Sequence, residues 1–91
     1  AKAETLGAYF RNLLSAIGSP LVAEVRGRGL LNGVELRGKA VPVVKRLQEK
    51  GLLALPAGPS VVRFLAPFTA EKEDFDRAAA LFAETLEEGA E

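Results

Sequence analysis

The chain contains no cysteine, histidine, methionine or tryptophan among its 91 residues. Without cysteine it has no disulfide bond, no thiolate nucleophile and no cysteine-ligated metal. Without histidine it also lacks the side chain most often used as a general base near neutral pH, which is also a common zinc ligand. We therefore expect no metal site and no catalytic residue in this chain on its own.

Neither sign of charge is in excess, since 12 basic residues balance 12 acidic ones. A formal net charge of zero predicts no general attraction to nucleic acid or to an anionic membrane. The apolar runs are far shorter than a bilayer span, and the first residues lack the apolar core of a signal peptide. We predict a cytoplasmic protein with no nucleic-acid and no membrane partner. The missing cysteine and methionine also favour a thermophilic source.

The remaining composition, 48% hydrophobic and 26% charged, is typical of a globular protein. A length of 91 residues fits one domain, and we predict a single domain over residues 1–91. The chain begins with Ala1, inside a helical pattern and without an initiator methionine. We expect that it was taken from a longer polypeptide.

Hydrophobic spacing predicts seven elements along the chain. Apolar residues at helical spacing predict three helices, and short β-prone runs bounded by glycine and proline predict four strands. The class is therefore α+β, with a small, mostly antiparallel sheet of about four strands and helices packed on one face, in the order α-β-β-α-β-β-α. The predicted ranges are helices 3–17, 41–50 and from about 70 onward, and strands 21–26, 30–36, 52–56 and 60–65.

The stretch "GRGLLNG" offers two interpretations. Gly27 and Gly29 begin a G-x-G pattern, but Asn32 breaks the dinucleotide fingerprint and the following residues favour a strand over a helix. A hairpin turn at residues 27–29 explains the two glycines better. Gly33 is unusual because a glycine inside a strand commonly marks a bulge or a close approach by another backbone or a ligand.

Basic residues gather in the middle third of the chain without any aromatic residue among them. Because single-strand binders combine such charges with aromatic stacking, a solvated face is the better interpretation. Lysines on polar helix faces are not desolvated, so we interpret them as surface residues rather than Schiff-base amines. The basic set is Arg26, Arg28, Arg37, Lys39, Lys45, Arg46 and Lys50, and the lysines considered as amines are Lys45, Lys50 and Lys72.

Arg63 lies within the apolar run "SVVRFL". Strand alternation places it on the same face as Val61 and Leu65, with Val62 and Phe64 on the other. An arginine among aliphatic side chains needs a partner or a route to water. The residues alone leave open an edge-strand arginine that reaches solvent, an ion pair with Glu24 or Glu35, or a bound carboxylate ligand.

Two motifs occur together, G-x-G-L-x-x-G-x-E-L from Gly27 to Leu36 and R-F-x-x-P from Arg63 to Pro67. In combination they resemble the C-terminal part of the class III, fold type I, pyridoxal-phosphate-dependent aminotransferases. The acetylornithine aminotransferases and the related enzymes of lysine biosynthesis are the most similar subgroup. The resemblance runs over essentially the whole chain, and it implies that these residues form the small C-terminal domain of such an enzyme.

The resemblance implies that Arg63 binds a substrate carboxylate. It also implies that pyridoxal phosphate is held by a large domain missing from this chain, so we expect no cofactor bound here. The parent enzyme would be a homodimer that transfers an amino group from an acylated ornithine- or lysine-type donor to 2-oxoglutarate, in arginine or lysine biosynthesis. The sequence departs from the family at Ala66, where a proline is usual, and at Phe68, where a leucine is common.

Two other functions remain open at this stage. The chain could be an independent α+β module that binds RNA or protein, or it could be an engineered scaffold, since four residue types are absent. Zero net charge and the lack of aromatic residues on the predicted strands argue against RNA. On its own, the chain is expected to be inactive as a transaminase.

Overall fold

The computed structural model describes residues 2–66 and 69–89, without the side chains of residues 2 and 3. Pro67, the last residue of the R-F-x-x-P motif, and Phe68, where a leucine is common in the family, lie outside the described residues. Within that description, the predicted order of helices and strands and the α+β class are confirmed. The elements are α1 Lys2–Ala16, β1 Val22–Arg28, β2 Leu31–Leu36, α2 Ala40–Glu49, β3 Ala54–Pro56, β4 Val61–Phe64 and α3 Lys72–Glu87.

The four strands form an antiparallel sheet in the order β1-β2-β4-β3, so β2 and β4 are interior strands. One face of the sheet is covered by the helices. Val34 and Val62 on that face are fully buried, whereas Leu31, on the opposite face of β2, is well exposed. The alternation read from the sequence is therefore confirmed, and the prediction that the helices pack on one face holds.

Four phenylalanines form the centre of the core. The ring of Phe64 on β4 meets Phe10 of α1 edge-on at 5.3 Å and Phe82 of α3 edge-on at 5.2 Å, and Phe10 also contacts Phe75 at 5.2 Å. Offset and edge-to-face arrangements of this kind are favoured by aromatic pairs. Phe64 thus fixes β4 against two helices, and the next residue back along the strand, Arg63, must point the other way.

The first hairpin differs from the prediction in its turn. The strand β1 continues through Gly27 and Arg28, and the two-residue turn is Gly29-Leu30. Gly27 pairs with Asn32 in the ladder, and Gly29 has a φ of 59°, as the first central residue of a type II′ turn requires. The predicted turn at residues 27–29 therefore begins two residues too early and shares only Gly29 with the observed turn.

Helix α1 holds this hairpin through a close backbone approach and two hydrogen bonds. A Cβ atom at Gly7 would lie 1.7 Å from the carbonyl oxygen of Gly29, so only glycine fits there. Arg11 donates from Nη1 to Asn32 Oδ1 at 2.7 Å and to the Gly29 carbonyl at 3.3 Å. Because Asn32 is buried, this charged hydrogen bond fixes the start of β2 against α1.

The seam between α2 and α3 depends on Lys50, the C-cap of α2. Its Nζ donates to Glu84 Oε1 and to the buried Thr85 Oγ1, both at 2.9 Å, and to Glu88 at 3.1 Å. The hydrogen bond with Glu84 raises the pKa of Lys50, and the hydrogen bond from Lys50 lowers the pKa of Glu88. Lys50, interpreted from the sequence as a surface lysine, is in fact largely buried in this seam.

These pKa shifts predict how the stability of the seam depends on pH. The contribution of Glu88 is fully present above its usual pKa of 4.5 and is lost as the pH falls through its lower folded value. The contribution of Lys50 is fully present below its usual pKa of 10.5 and is lost as the pH rises through its higher folded value. Replacing Lys50→Met should therefore lower the free energy of unfolding near neutral pH. It should also weaken the dependence of that free energy on pH at both the acid and the alkaline end.

Urea unfolding at a series of pH values, from acid to alkaline, measures this effect. Lys45→Met is the matched control, because Lys45 is exposed on the same helix and pairs with no described residue. We expect the control to keep the wild-type pH profile. If Lys50→Met and wild type have parallel profiles, Lys50 does not link the two helices.

Candidate functional site

The face of the sheet opposite the helices has no covering element within the described residues, and we call it the open face. By the strand register, its residues form three rows across the sheet. Four leucines on or beside it are exposed by 40% to 68% of their surface, an unusual amount of aliphatic surface for one side of a small sheet. The open face comprises Glu24, Arg26 and Arg28 of β1, Leu31, Gly33 and Glu35 of β2, Leu55 of β3, Val61 and Arg63 of β4, and the flanking Leu53 and Leu65.

Arg63 lies in the middle of this face. Its strand, β4, is paired on both sides, with Gly33 of β2 opposite Arg63 on one side and Leu55 of β3 on the other. The suggestion that Arg63 belongs to an edge strand is therefore wrong. The side chain is nonetheless exposed, because nothing among the described residues covers the open face.

The glutamates considered as internal partners of Arg63 bind another arginine. Arg26 donates from Nη1 to Glu24 Oε1 at 2.9 Å and to Glu35 Oε1 at 3.1 Å. Across residues 2–66 and 69–89, Arg63 makes no hydrogen bond and no ion pair, so the internal ion pair is also wrong. The five N–H donors of its guanidinium remain available to solvent or to a ligand.

The neighbouring charges make Arg63 distinct from Arg26. Two carboxylates compensate Arg26, whereas the row that contains Arg63 has no acidic side chain, being made up of Arg26, Gly33, Arg63 and Leu55. An uncompensated guanidinium flanked by a leucine attracts an anion more strongly than a surface arginine surrounded by water. Its planar fork suits a carboxylate held by two parallel hydrogen bonds.

One other described arginine of the open face, Arg28, is also exposed and pairs with Leu31, but it lies on the edge strand β1 rather than in the middle of the sheet. Lys39 and Lys45 are exposed, and Arg37 donates to the carbonyl of Pro20 at 3.0 Å. The four phenylalanines of the core lie on the helix side of the sheet, and the described open face carries no aromatic side chain. The structure therefore offers no stacking platform for nucleotide bases within the described residues.

The lysines considered as cofactor amines do not fit pyridoxal phosphate. A lysine that forms a Schiff base needs a lowered pKa and a desolvated amine. Lys50 has a raised pKa because Glu84 and Glu88 hold its ammonium. Lys45 is exposed, and Lys72 lies over the ring of Tyr9 at 5.2 Å, on the helix side of the fold. None of these three side chains is therefore an unpaired, desolvated amine in the described structure.

Sequence reasoning identified Arg63 and Gly33 separately but missed that they are direct partners across two strands. That relation depends on β4 pairing with β2, and no local pattern specifies such a long-range pairing. The ion pair between Arg26 and Glu24 could have been predicted from the sequence, because residues two apart in a strand share a face. That signal would have assigned Glu24 to Arg26 in advance.

Comparison with known proteins identifies the family. The model of the class-III aminotransferase family matches residues 1–86. The acetylornithine aminotransferase of Listeria innocua is 45% identical over 82 residues, covering 88% of this chain and 21% of that enzyme. The [LysW]-aminoadipate semialdehyde transaminase of Deinococcus radiodurans is 44% identical over 86 residues, covering 93% of this chain and 20% of that protein.

A solved structure gives the same result. The ornithine aminotransferase of Toxoplasma gondii, which carries pyridoxal phosphate in partial occupancy at its active site, superimposes with a TM-score of 0.82 at 35% identity. The match covers 97% of this chain and 23% of that one. The chain thus spans about a fifth of the length of the relatives that it matches. Because the family match includes nearly all of its residues, the chain belongs to the class-III aminotransferase family.

Proposed function

We propose that this chain is the small C-terminal domain of an acetylornithine-like aminotransferase and that Arg63 binds a carboxylate of the substrate. The observation that supports this role is the position of Arg63, which is exposed in the middle of the open face and unpaired within the described residues. The substrates of such an enzyme, an acylated ornithine- or lysine-type amine and 2-oxoglutarate, carry the group that a guanidinium fork holds best.

The contribution of Arg63 is to bind and orient the substrate. Two parallel hydrogen bonds to a carboxylate fix both its distance and its plane, and that restricts the rotation of the attached reacting carbon. Phe64, anchored between two helices, keeps β4 from shifting under the ligand. The transfer chemistry itself belongs to pyridoxal phosphate, for which Lys45, Lys50 and Lys72 provide no suitable amine.

The rest of the complete enzyme would supply what this chain lacks. The relatives are about five times as long as the matched segment, which leaves room for a large domain with the cofactor lysine. We infer that this large domain covers the open face, because exposed leucines around an unpaired arginine are typical of a surface that is buried in a larger assembly. The complete enzyme is proposed to be a homodimer.

The proposal is tested on the complete polypeptide that contains this chain. We expect its reading frame to continue upstream into a segment with a cofactor lysine. The purified polypeptide should form glutamate from 2-oxoglutarate when an acylated ornithine- or lysine-type amine is added. The 91-residue chain alone, mixed with pyridoxal phosphate, should give no stoichiometric yellow adduct that borohydride fixes onto one lysine.

Two results would count against the proposal. One is a complete polypeptide that loads pyridoxal phosphate but transfers no amino group to 2-oxoglutarate. The other is a stoichiometric adduct on the isolated chain, because it would place the cofactor lysine among these 91 residues. A reading frame that encodes this chain alone, together with salt-dependent binding of single-stranded RNA, would favour an independent binding module instead.

A further inference from the structure

The glycines on and near the first hairpin are explained by the fold, with one exception. A Cβ atom at Gly7 would lie 1.7 Å from the Gly29 carbonyl oxygen, and one at Gly27 would lie 2.3 Å from the Leu31 carbonyl oxygen. Gly29 needs its positive φ for the turn. Any larger residue at these three positions would strain the chain.

Gly33 is the exception, because neither its conformation nor its packing requires glycine. Its φ is not in the left-handed region, and a Cβ atom there would meet Val61 Cγ1 and the Val62 carbonyl oxygen at 3.6 Å, an ordinary contact distance. In the interior of a strand, glycine is less favourable than a residue with a side chain. The fold therefore does not require glycine at position 33. We look for the role of this glycine on the open face, toward which a side chain at position 33 would point.

The strand register places the missing side chain directly beside Arg63. The backbone N–H of Leu36 donates to the carbonyl of Ser60 at 2.7 Å, and alternation along the strands then makes Gly33 and Arg63 a pair without hydrogen bonds between them. In such a pair the Cα atoms are roughly 4.5 Å apart and the side chains come closest. A side chain at position 33 would therefore rise from the backbone beside Arg63, with Val61 as its nearest side chain.

The two sides of Arg63 are unequal. On the β3 side, its partner in the register is Leu55, which carries a side chain on the open face and is 47% exposed. On the β2 side, Gly33 has no side chain, and the next residue in that row is Arg26, whose guanidinium is bound to Glu24 and Glu35 in the neighbouring row. The result is a gap one strand wide between two arginines, with the glycine backbone as its floor.

We propose that Gly33 is a specificity-determining residue. Because it has no side chain, the space beside Arg63 on the β2 side stays open, and a carboxylate substrate reaches the guanidinium through that space. This inference rests on the proposed function, since it assumes that Arg63 holds the carboxylate. The carbon next to that carboxylate, with its amino or oxo substituent, lies over Gly33 rather than over Leu55. Any side chain at position 33 narrows this gap and obstructs binding without disturbing the sheet.

The experiment compares Gly33→Ala and Gly33→Val with wild type in the complete enzyme. We expect the KM for the carboxylate substrates to rise with side-chain size, reaching about tenfold or more for Gly33→Val, with a smaller change in kcat. The melting temperature and the cofactor content should be unchanged or higher, because the strand accepts a side chain there. The matched control is Leu55→Val, a size change on the other neighbour of Arg63, which should alter KM by less than about threefold.

Arg63→Ala, measured in parallel, separates this inference from the proposed function. If Arg63→Ala impairs binding but Gly33→Val leaves KM unchanged, the role of Gly33 is refuted and that of Arg63 stands. If Gly33→Val lowers the melting temperature or the cofactor content while KM is unchanged, protein rather than substrate fills the gap, and the inference is again refuted. If Arg63→Ala has no effect on KM or kcat, the proposed function itself is wrong.

Discussion

In the complete enzyme, we expect Arg63→Ala to lower kcat/KM for the carboxylate substrates by a factor on the order of 10² to 10⁴. A hydrogen bond to a charged group contributes about 1.5 to 3 kcal/mol, and a guanidinium fork makes two of them. Each 1.4 kcal/mol, roughly, corresponds to a factor of ten. Steady-state kinetics with each substrate varied in turn gives the measurement. Loss of binding raises KM, and loss of orientation lowers kcat as well.

Two further variants show whether the fork itself matters. Arg63→Lys keeps the charge but loses the paired donors, so its kcat/KM should fall between those of wild type and Arg63→Ala. Arg28→Ala removes another exposed arginine from the same face, on the edge strand β1, and should change kcat/KM by less than about threefold. Equal losses for Arg28→Ala and Arg63→Ala would indicate a general effect of charge rather than a binding site.

The second large effect concerns stability. Replacing Phe64→Ala in the 91-residue chain should lower the free energy of unfolding by about 3 to 5 kcal/mol, because it removes a buried ring that contacts both Phe10 and Phe82. A domain of this size has a total stability of about 5 to 15 kcal/mol, so the variant would be close to unfolding. Urea unfolding followed by circular dichroism measures the loss.

Leu55→Ala is the control for this effect, because Leu55 belongs to the same sheet but lies on the open face, 47% exposed. Its free energy of unfolding should change by less than about 1 kcal/mol. Phe64→Leu, which keeps part of the buried volume, should fall between the two. Similar losses for Phe64→Ala and Leu55→Ala would mean that the open face is buried in solution, contrary to the structure.

Local patterns were enough to predict the elements of this fold. The helical spacing of apolar residues predicted the inward face of α2 and of α3, and every residue assigned to those faces is buried. They are Val43, Val44 and Leu47 of α2 and Phe75, Ala78, Ala79, Phe82 and Leu86 of α3. Alternation in "SVVRFL" gave the correct face for Arg63. These predictions succeed because a helix or a strand of amphipathic sequence buries the same face in most surroundings.

Predictions that depended on tertiary contacts were less successful. The hairpin turn was misplaced because Gly27 belongs to the strand ladder, not to the turn. Glycine is needed at this position because any side chain would collide with Asn32, its partner on β2. The third strand is shorter than predicted, covering Ala54–Pro56 of the predicted 52–56. The strand order, and with it the pairing of Gly33 with Arg63, brings together segments about thirty residues apart, which periodicity does not encode.

The candidate site was therefore only partly visible in the sequence. The physical chemistry of Arg63 left open an arginine that reaches solvent, an ion pair and a bound ligand, and the family motifs favoured a ligand. The structure removed the ion pair with Glu24 or Glu35, because Arg26 holds both of those carboxylates. The carboxylate-binding role of Arg63 remains a prediction.

The most direct test of that role is a crystal structure of the complete, cofactor-loaded enzyme with glutarate, a dicarboxylate without an amino or oxo group. We predict that one carboxylate of glutarate accepts two hydrogen bonds from the Arg63 guanidinium, at about 2.7 to 2.9 Å, with the adjoining carbon over Gly33. An ordered glutarate bound elsewhere, with Arg63 paired to a carboxylate of the protein, would contradict the proposed function.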